Sequence, residues 1–388
     1  MRPFLNPRLA AFGETIFAEM SALATRTGAI NLGQGFPDTD GPVEIAEAAV
    51  AAIRRGENQY PPGPGIADLR QAVSEHRQRF YGQAFDPDTE VLVTAGATEA
   101  IAASVLALCS PGDEVVVFEP YYDSYSACIA MAGANRVPVT LEAPGYTFAA
   151  DALRAAITPR TRLLVLNSPH NPTGKVFTDA ELALIAELCV AHDLIAVTDE
   201  VYEHLTFDGI AHRPLATYPG MAERTVTISS AGKTFSFTGW KIGWVCAPAE
   251  LVTAVRTAKQ YLTYVNGAPF QPAVAVGLRL GDHYFSAFAK DLQDKRDRLC
   301  SGLEEAGFEV IRPAGTYFVT CDIRPFGEDD GRAFCLSLPE RCGVVAIPNN
   351  VFYDNKAAGQ HLVRFTFCKR FEVLDTACER LASLRERS

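Results

Sequence analysis

The sequence predicts an α/β fold: a mainly parallel sheet covered by helices on both faces, followed by a smaller α+β unit. Three observations carry this. Short, β-branched and almost wholly apolar runs recur through the middle of the chain, separated by longer amphipathic stretches. Runs without polar alternation suit strands buried on both faces. After about residue 275 the pattern changes to one long helical stretch and then closely spaced strands, and 388 residues is ample for a large domain with a smaller companion.

In order, EVLVT (90–94) runs into the helix-like TEAIAASVLALC and then EVVVF (114–118). RLLVLN (162–167) is followed by DAELALIAELCVAH and LIAVTDE (194–200), then TVTISS (225–230) and GWVCA (243–247). These elements define an α/β domain over residues 43–275. A helix over 282–306 then leads to FEVIRPAGTYFVTCDI, VVAIP, HLVRFTFCK and a closing helix. Residues 276–388 therefore form the α+β unit, and residues 1–42 are expected to pack with it.

Composition narrows the function. Hydrophobic residues make up 48% and charged residues 21%, as in a soluble globular protein. The net charge of -11 disfavours nucleic acid or an anionic membrane as partner. The first residues lack the basic, apolar and small-residue order of a secretory signal, and no apolar run is long enough to span a bilayer. Ten scattered cysteines without CxxC pairs, and seven histidines without HExxH spacing, point to reduced thiols in a cytoplasmic protein with no metal site.

In open parallel sheets, ligands bind beyond the carboxyl ends of the strands, and here those ends carry unusual chemistry. EVLVT opens into AGATEA, a small-residue turn whose free N–H groups suit a phosphate, although a plain strand-to-helix turn reads the same way. RLLVLN ends in SPHNPTGK and places Asn171 beyond the sheet, where Asn before Pro also initiates turns. LIAVTDEVYEHL sets Asp199 at the mouth of a buried strand, as catalytic carboxylate or helix N-cap. Tyr202 shares its face if a helix starts there. TVTISS leads to Ser230 and Lys233, and a lysine in tight, small surroundings becomes a nucleophilic amine by desolvation unless a carboxylate pairs with it. A phosphate cradle, an amide, a carboxylate with a phenol, and a lysine together match one cofactor. Pyridoxal phosphate requires a lysine for covalent attachment, a carboxylate to keep its ring nitrogen protonated, and a phosphate site.

At this point the chain resembles the fold-type I, class I/II pyridoxal 5'-phosphate aminotransferases, from NLGQGFPD (31–38) to RFTFCK (364–369). LNSPHNPTG, DEVYEHL, EPYYDSY and GKTFSFTGWKIGW are similar to the kynurenine/glutamine transaminase group. NQYPPGPG, FAEMSALATR and AKQYLTYVNGAPFQPAVA resemble the actinobacterial N-succinyldiaminopimelate aminotransferases within it. The resemblance implies a seven-stranded sheet and a homodimer with shared sites. It makes Lys233 the Schiff-base lysine and proton shuttle, Asp199 the partner of the ring nitrogen, and Tyr202 and Asn171 the donors to the ring hydroxyl oxygen. Tyr122 would stack on the ring. Ala97, Thr98, Ser230 and Lys241 would hold the phosphate, with Tyr60 reaching it from the neighbouring subunit. Arg364 would clamp the substrate carboxylate, since an arginine among Leu, Val and Phe is costly unless paired; an internal salt bridge is the other reading. Gly35 would allow close backbone approach near Asn171, and Tyr264 and Asn266 lie where a distal substrate group could be read. Many relatives carry arginine where Lys241 stands, so the phosphate meets a point charge here, buried and deep by expectation. The implied substrates are an L-amino acid, foremost N-succinyl-LL-2,6-diaminopimelate, and a 2-oxo acid (2-oxoglutarate/glutamate). The rival is kynurenine, glutamine or methionine transamination with cysteine-conjugate β-lyase activity. A regulator built on such a domain would need a DNA-binding module, for which there is no spare length.

Overall fold

The computed structural model describes residues 4–385. Strand β1 (Ile30–Asn31) belongs to the smaller unit. The large sheet is formed by β2 (Val91–Thr94), β3 (Glu114–Glu119), β4 (Asn135–Thr140), β5 (Thr161–Asn167), β6 (Ile195–Asp199), β7 (Thr225–Ser230) and β8 (Gly243–Cys246). Its order is β2-β8-β7-β6-β5-β3-β4. All pairings are parallel except those of β8, which runs antiparallel to both β2 and β7.

Six of these strands are the apolar runs of the sequence. The seventh, β4, was not expected: NRVPVT contains Pro138 and is largely exposed. It lies at the sheet's edge, where a missing N–H leaves no neighbour unsatisfied. The helix Asp179–Ala191 shows how local chemistry sets a boundary. Thr178 accepts from the Glu181 N–H while Glu181 accepts from the Thr178 N–H, a reciprocal capping box.

Beyond the helix Asp282–Ala306 come β9 (Glu309–Ile311), β10 (Phe318–Asp322), β11 (Val344–Val345), β12 (Ile347–Pro348) and β13 (Leu362–Thr366). Four of them pair antiparallel in the order β12-β13-β10-β9, and β11 instead pairs in parallel with β1, Ile30 opposite Val344. The N-terminal helix Ile16–Thr27 buries Met20 and Ala24 in one core with Leu299, Leu303, Phe365 and Leu374. Val201, Tyr202, Leu205 and Phe207, just past β6, join that core, so the two units share apolar packing beside the sheet's carboxyl edge. Because β8 is reversed relative to both neighbours, β2 runs parallel to β7. Thr94, Asn167, Asp199 and Ser230 consequently end at the same edge.

Candidate active site

A cavity of about 410 Å³ opens at that edge. It is lined by the predicted residues Gly35, Ala97, Thr98, Tyr122, Asn171, Asp199, Tyr202, Ser230, Lys233, Lys241 and Arg364, but not by Tyr60, Tyr264 or Asn266. Tyr60 is 81% exposed and packs edge-on against the ring of Tyr264, centroids 5.5 Å apart.

The candidate phosphate cradle is built from a turn that only glycine permits. The helix Gly96–Leu108 starts with no side-chain cap, which leaves its first N–H groups for a ligand. Gly96 has φ +74°, and a Cβ there would stand 3.3 Å from Lys241 Cε and 3.4 Å from Nζ. Gly243 is equally constrained, since its Cβ would meet the Ala97 nitrogen at 2.9 Å. Ala97, Thr98, Ser230 and the Lys241 ammonium thus surround a space that fits a phosphate. Lys241 itself corrects the expectation of a deep second lysine: it is exposed, at φ +55°. Its carbonyl and that of Thr94 each accept from Asn266 Nδ2 at 3.1 Å. Asn266, expected near a distal substrate group, is therefore committed to joining the strand end to the lysine.

Asp199 is 5% exposed, and burial raises the pKa of its carboxyl. Tyr125 Oη donates to Oδ2 at 2.6 Å and the Val201 N–H to Oδ1 at 3.3 Å, both favouring the carboxylate. No helix follows β6. The chain forms a turn over 201–204, so the helix N-cap reading of Asp199 fails and Tyr202 reaches the cavity from a turn. Asn167 braces the next strand end, its Nδ2 donating to the Asp199 carbonyl at 2.8 Å and its Oδ1 accepting from the Asn171 N–H at 2.7 Å.

Lys233 sits in the short helix Ala231–Thr234 immediately after β7. Its pKa is lowered to about 8, first by burial, with Lys241 and Arg364 acting in the same direction while Cys368 and Asp199 oppose them. Like-charge repulsion from Lys241 is thus a minor contribution beside desolvation. The Nζ atom lies 5.9 Å from the Tyr202 ring centroid and 5.5 Å from that of Tyr317. Burial raises the Tyr202 phenol, so it stays protonated and available as a donor.

Arg364, on β13, is 1% exposed. Nη1 donates to Asn171 Oδ1 at 2.9 Å and Nη2 to the Gly33 carbonyl at 3.0 Å, but Nε is buried without a partner. Among the described residues no carboxylate pairs with it, which removes the internal salt-bridge reading. Its guanidinium lies 3.9 Å from the Phe318 ring centroid, and burial pulls its pKa down to about 10. A buried, unneutralised cation on the wall of a cavity is a site for an anion.

Gly35 has a sharper role than expected. A Cβ there would stand 2.4 Å from Phe318 Cζ, and its carbonyl accepts from Tyr317 Oη at 2.6 Å. Gly35→Ala should therefore displace Phe318 from under Arg364 and cost about 1–3 kcal/mol, read as a lowered melting temperature and a raised KM. An unchanged KM would show that the Phe318 ring has no part in holding the arginine.

Tyr125, Asn167, Tyr317 and Phe318 belong to this site and were not singled out beforehand. Tyr125 sits in the quoted EPYYDSY, and Asn167 closes RLLVLN, but nothing in spacing says that one bonds Asp199 and the other braces Asn171.

Comparison with known proteins agrees with the geometry. The model of the family "Aminotransferase class I and II" matches residues 27–381. The chain is 60% identical to a probable N-succinyldiaminopimelate aminotransferase, DapC, of Mycobacterium tuberculosis, over 98% of both chains. It is 39% identical to a methionine aminotransferase of Escherichia coli over 97% of each. The solved structure of N-succinyldiaminopimelate aminotransferase from Mycobacterium tuberculosis superposes with a TM-score of 0.96 at 59% identity, covering 98% of this chain and 100% of that one. With the family match spanning both units and the lysine, carboxylate and arginine converging on one cavity, the chain belongs to the class I and II aminotransferases.

Proposed function

We propose that this pyridoxal-phosphate-dependent enzyme exchanges an amino group between N-succinyl-LL-2,6-diaminopimelate and the 2-oxoglutarate/glutamate pair. The observation that carries an amino-acid substrate is Arg364, a buried guanidinium with no carboxylate partner in the same cavity as Lys233. The diaminopimelate derivative is supported by the 60% identity to the mycobacterial relative bearing that name.

The bound cofactor supplies an electron sink for the carbanion left when the substrate loses its α-proton. The chain does the rest. Lys233, with its depressed pKa, would hold the cofactor and, when freed, would carry the proton between the substrate Cα and the cofactor C4′. Asp199 would keep a proton on the ring nitrogen, and Tyr125 fixes the carboxylate that would do so. Tyr202 and the Asn171 Nδ2 would donate to the ring oxygen, while Tyr122 would cover the ring face. Ala97, Thr98, Ser230 and Lys241 would bind the phosphate, and Arg364 would orient the substrate carboxylate with a planar donor pair. The exposed Tyr60, Tyr261 and Tyr264 support a homodimer in which Tyr60 reaches the partner's phosphate site. The division at residues 43–275 against 1–42 with 276–388, and a cytoplasmic setting, complete the reading. Among the described residues no helix is long and apolar enough to cross a membrane.

A half-reaction screen tests the substrate. Loss of the lysine-bound cofactor's absorbance should be fastest with N-succinyl-LL-diaminopimelate, against kynurenine, methionine, glutamine and aspartate. Faster conversion of methionine or kynurenine would move the assignment to that class, as would ammonia and pyruvate release from cysteine conjugates. A second experiment addresses Asp199. Asp199→Asn should retain much of the cofactor binding yet lose on the order of 3 kcal/mol of transition-state stabilisation, roughly a hundredfold in kcat. Near-wild-type turnover would contradict its role.

A further inference from the structure

Behind the cavity lies a second constellation of charged side chains, built from the sequence neighbours of the site residues. Successive residues of a strand point to opposite faces. Asp199 and Ser230 line the cavity, while Thr198, Glu200 and Ser229 bond to groups on the other side.

At its centre is Arg77, 1% exposed, from the helix Ala67–Tyr81. Nη2 donates to Glu200 Oε2 at 3.1 Å, and Nη1 donates to Glu203 Oε2 at 2.8 Å. Glu203 Oε1 accepts from Ser229 Oγ at 2.6 Å, and Glu200 Oε1 accepts from Thr198 Oγ1 at 3.0 Å. His212 Nε2 lies 3.1 Å from Glu200 Oε2. Burial would raise the Glu203 carboxyl, but Arg77, both neighbouring imidazoles and Ser229 hold it down to about 2. His76, Glu203 and His204 stand close enough together to suggest a metal site. The Glu203 oxygens are already taken by Arg77 and Ser229, and the two imidazoles bond each other at 2.8 Å between Nε2 atoms. His76 and Glu203 thus have their partners without a metal.

Burying one guanidinium with two carboxylates yields little net stability over apolar packing of the same volume. Its distinctive product is geometry, because a forked donor fixes two acceptors at once. One acceptor follows Asp199 directly. The other is bonded to the residue that precedes Ser230, three positions before Lys233.

We propose that Arg77 is a positioning residue for the reaction: through Glu200, which follows β6 directly, and through Glu203 and its bond to Ser229 on β7, it ties the two strand ends together. It thereby sets the spacing between Asp199 and the Ser230–Lys233 turn, across which the cofactor's ring nitrogen and its lysine attachment must both fit. The proposal rests on the assignment of Lys233 and Asp199 given above.

The test compares the holoenzymes of Ser229→Ala and Arg77→Lys with the wild type. Neither residue touches the cavity. The readouts are the pH midpoint of the bound cofactor's absorbance, the cofactor dissociation constant, and kcat and KM for the best donor in the screen. Both variants should move the absorbance midpoint by about half a pH unit or more. They should lower kcat by about 10- to 100-fold with KM little changed, as misplacement of reacting groups does. A lowered melting temperature with wild-type midpoint and kcat would reduce the network to a structural one and overturn the proposal. Should Arg77→Lys fail to fold, Ser229→Ala decides alone, because it cuts only the tie to β7. A wild-type chain that binds pyridoxal phosphate without a lysine-linked absorbance would overturn the underlying assignment instead, and no variant is needed to see that.

Discussion

Lys233→Ala should abolish the lysine-bound absorbance and lower transamination by about 10,000-fold, the upper end of what a positioned acid–base group supplies. The variant should still bind pyridoxal phosphate, because the phosphate cradle, Asp199 and Asn171 do not involve the lysine. That separation distinguishes Lys233 from Lys241: loss of the exposed lysine should weaken cofactor binding and leave the covalent absorbance in place. Lys233 also predicts a pH dependence. Burial lowers its pKa to about 8, and only the neutral amine attacks the cofactor's aldehyde. Below that pH the folded protein holds a protonated lysine and capture is slow. Capture by the apo-protein should therefore rise through about pH 8 and level off above it. A stopped-flow rate that keeps rising about tenfold per pH unit past pH 9 would show that the amine is not desolvated as the structure indicates.

The sequence made the parallel strands and the residues at their ends readable because each strand is an uninterrupted apolar run and each polar cluster follows one directly. Lys233, Asp199 and Asn171 needed no knowledge of tertiary contacts, only of where strands stop. β4 escaped because an edge strand with one wet face and a proline carries neither an apolar run nor clean alternation. Tyr125, Tyr317 and Phe318 escaped for another reason. Aromatic residues are ordinary core material, and their bond to Asp199, cover over Gly35 and stacking under Arg364 arise from contacts across as many as 282 positions of sequence. The burial of Lys241 was overestimated because an apolar, small-residue context was read as depth. The run instead ends in a positive-φ turn at the cavity rim. Arg77 lies on a helix whose sequence is mostly polar, and nothing there announces that one of its arginines is wholly buried.

Arg364→Met separates binding from folding, because the arginine's two contributions have opposite signs. In the apo-protein the guanidinium is a liability. Its pKa falls from the ordinary 12.5 to about 10, which corresponds to on the order of 3 kcal/mol against the charged form. Replacement by an apolar chain of similar length relieves that cost. It also leaves Asn171 Oδ1 and the Gly33 carbonyl without their donor, at about 1–3 kcal/mol each where no other partner is found. The terms nearly cancel, so the melting temperature of the apo-variant should lie within a few degrees of wild type, about what 1 kcal/mol moves it. Catalysis has no such compensation. The substrate carboxylate would face an apolar wall, and losing one side of a buried charge pair costs about 3 kcal/mol or more, at least a hundredfold in kcat/KM. The loss should appear for both amino donor and 2-oxo acid, since each presents the same α-carboxylate. Its companion Arg364→Lys should recover little, because a point charge does not reproduce the fork that bonds Asn171, Gly33 and the substrate together. Retention of kcat/KM with a collapsed melting temperature would reverse the assignment and make Arg364 a structural cation.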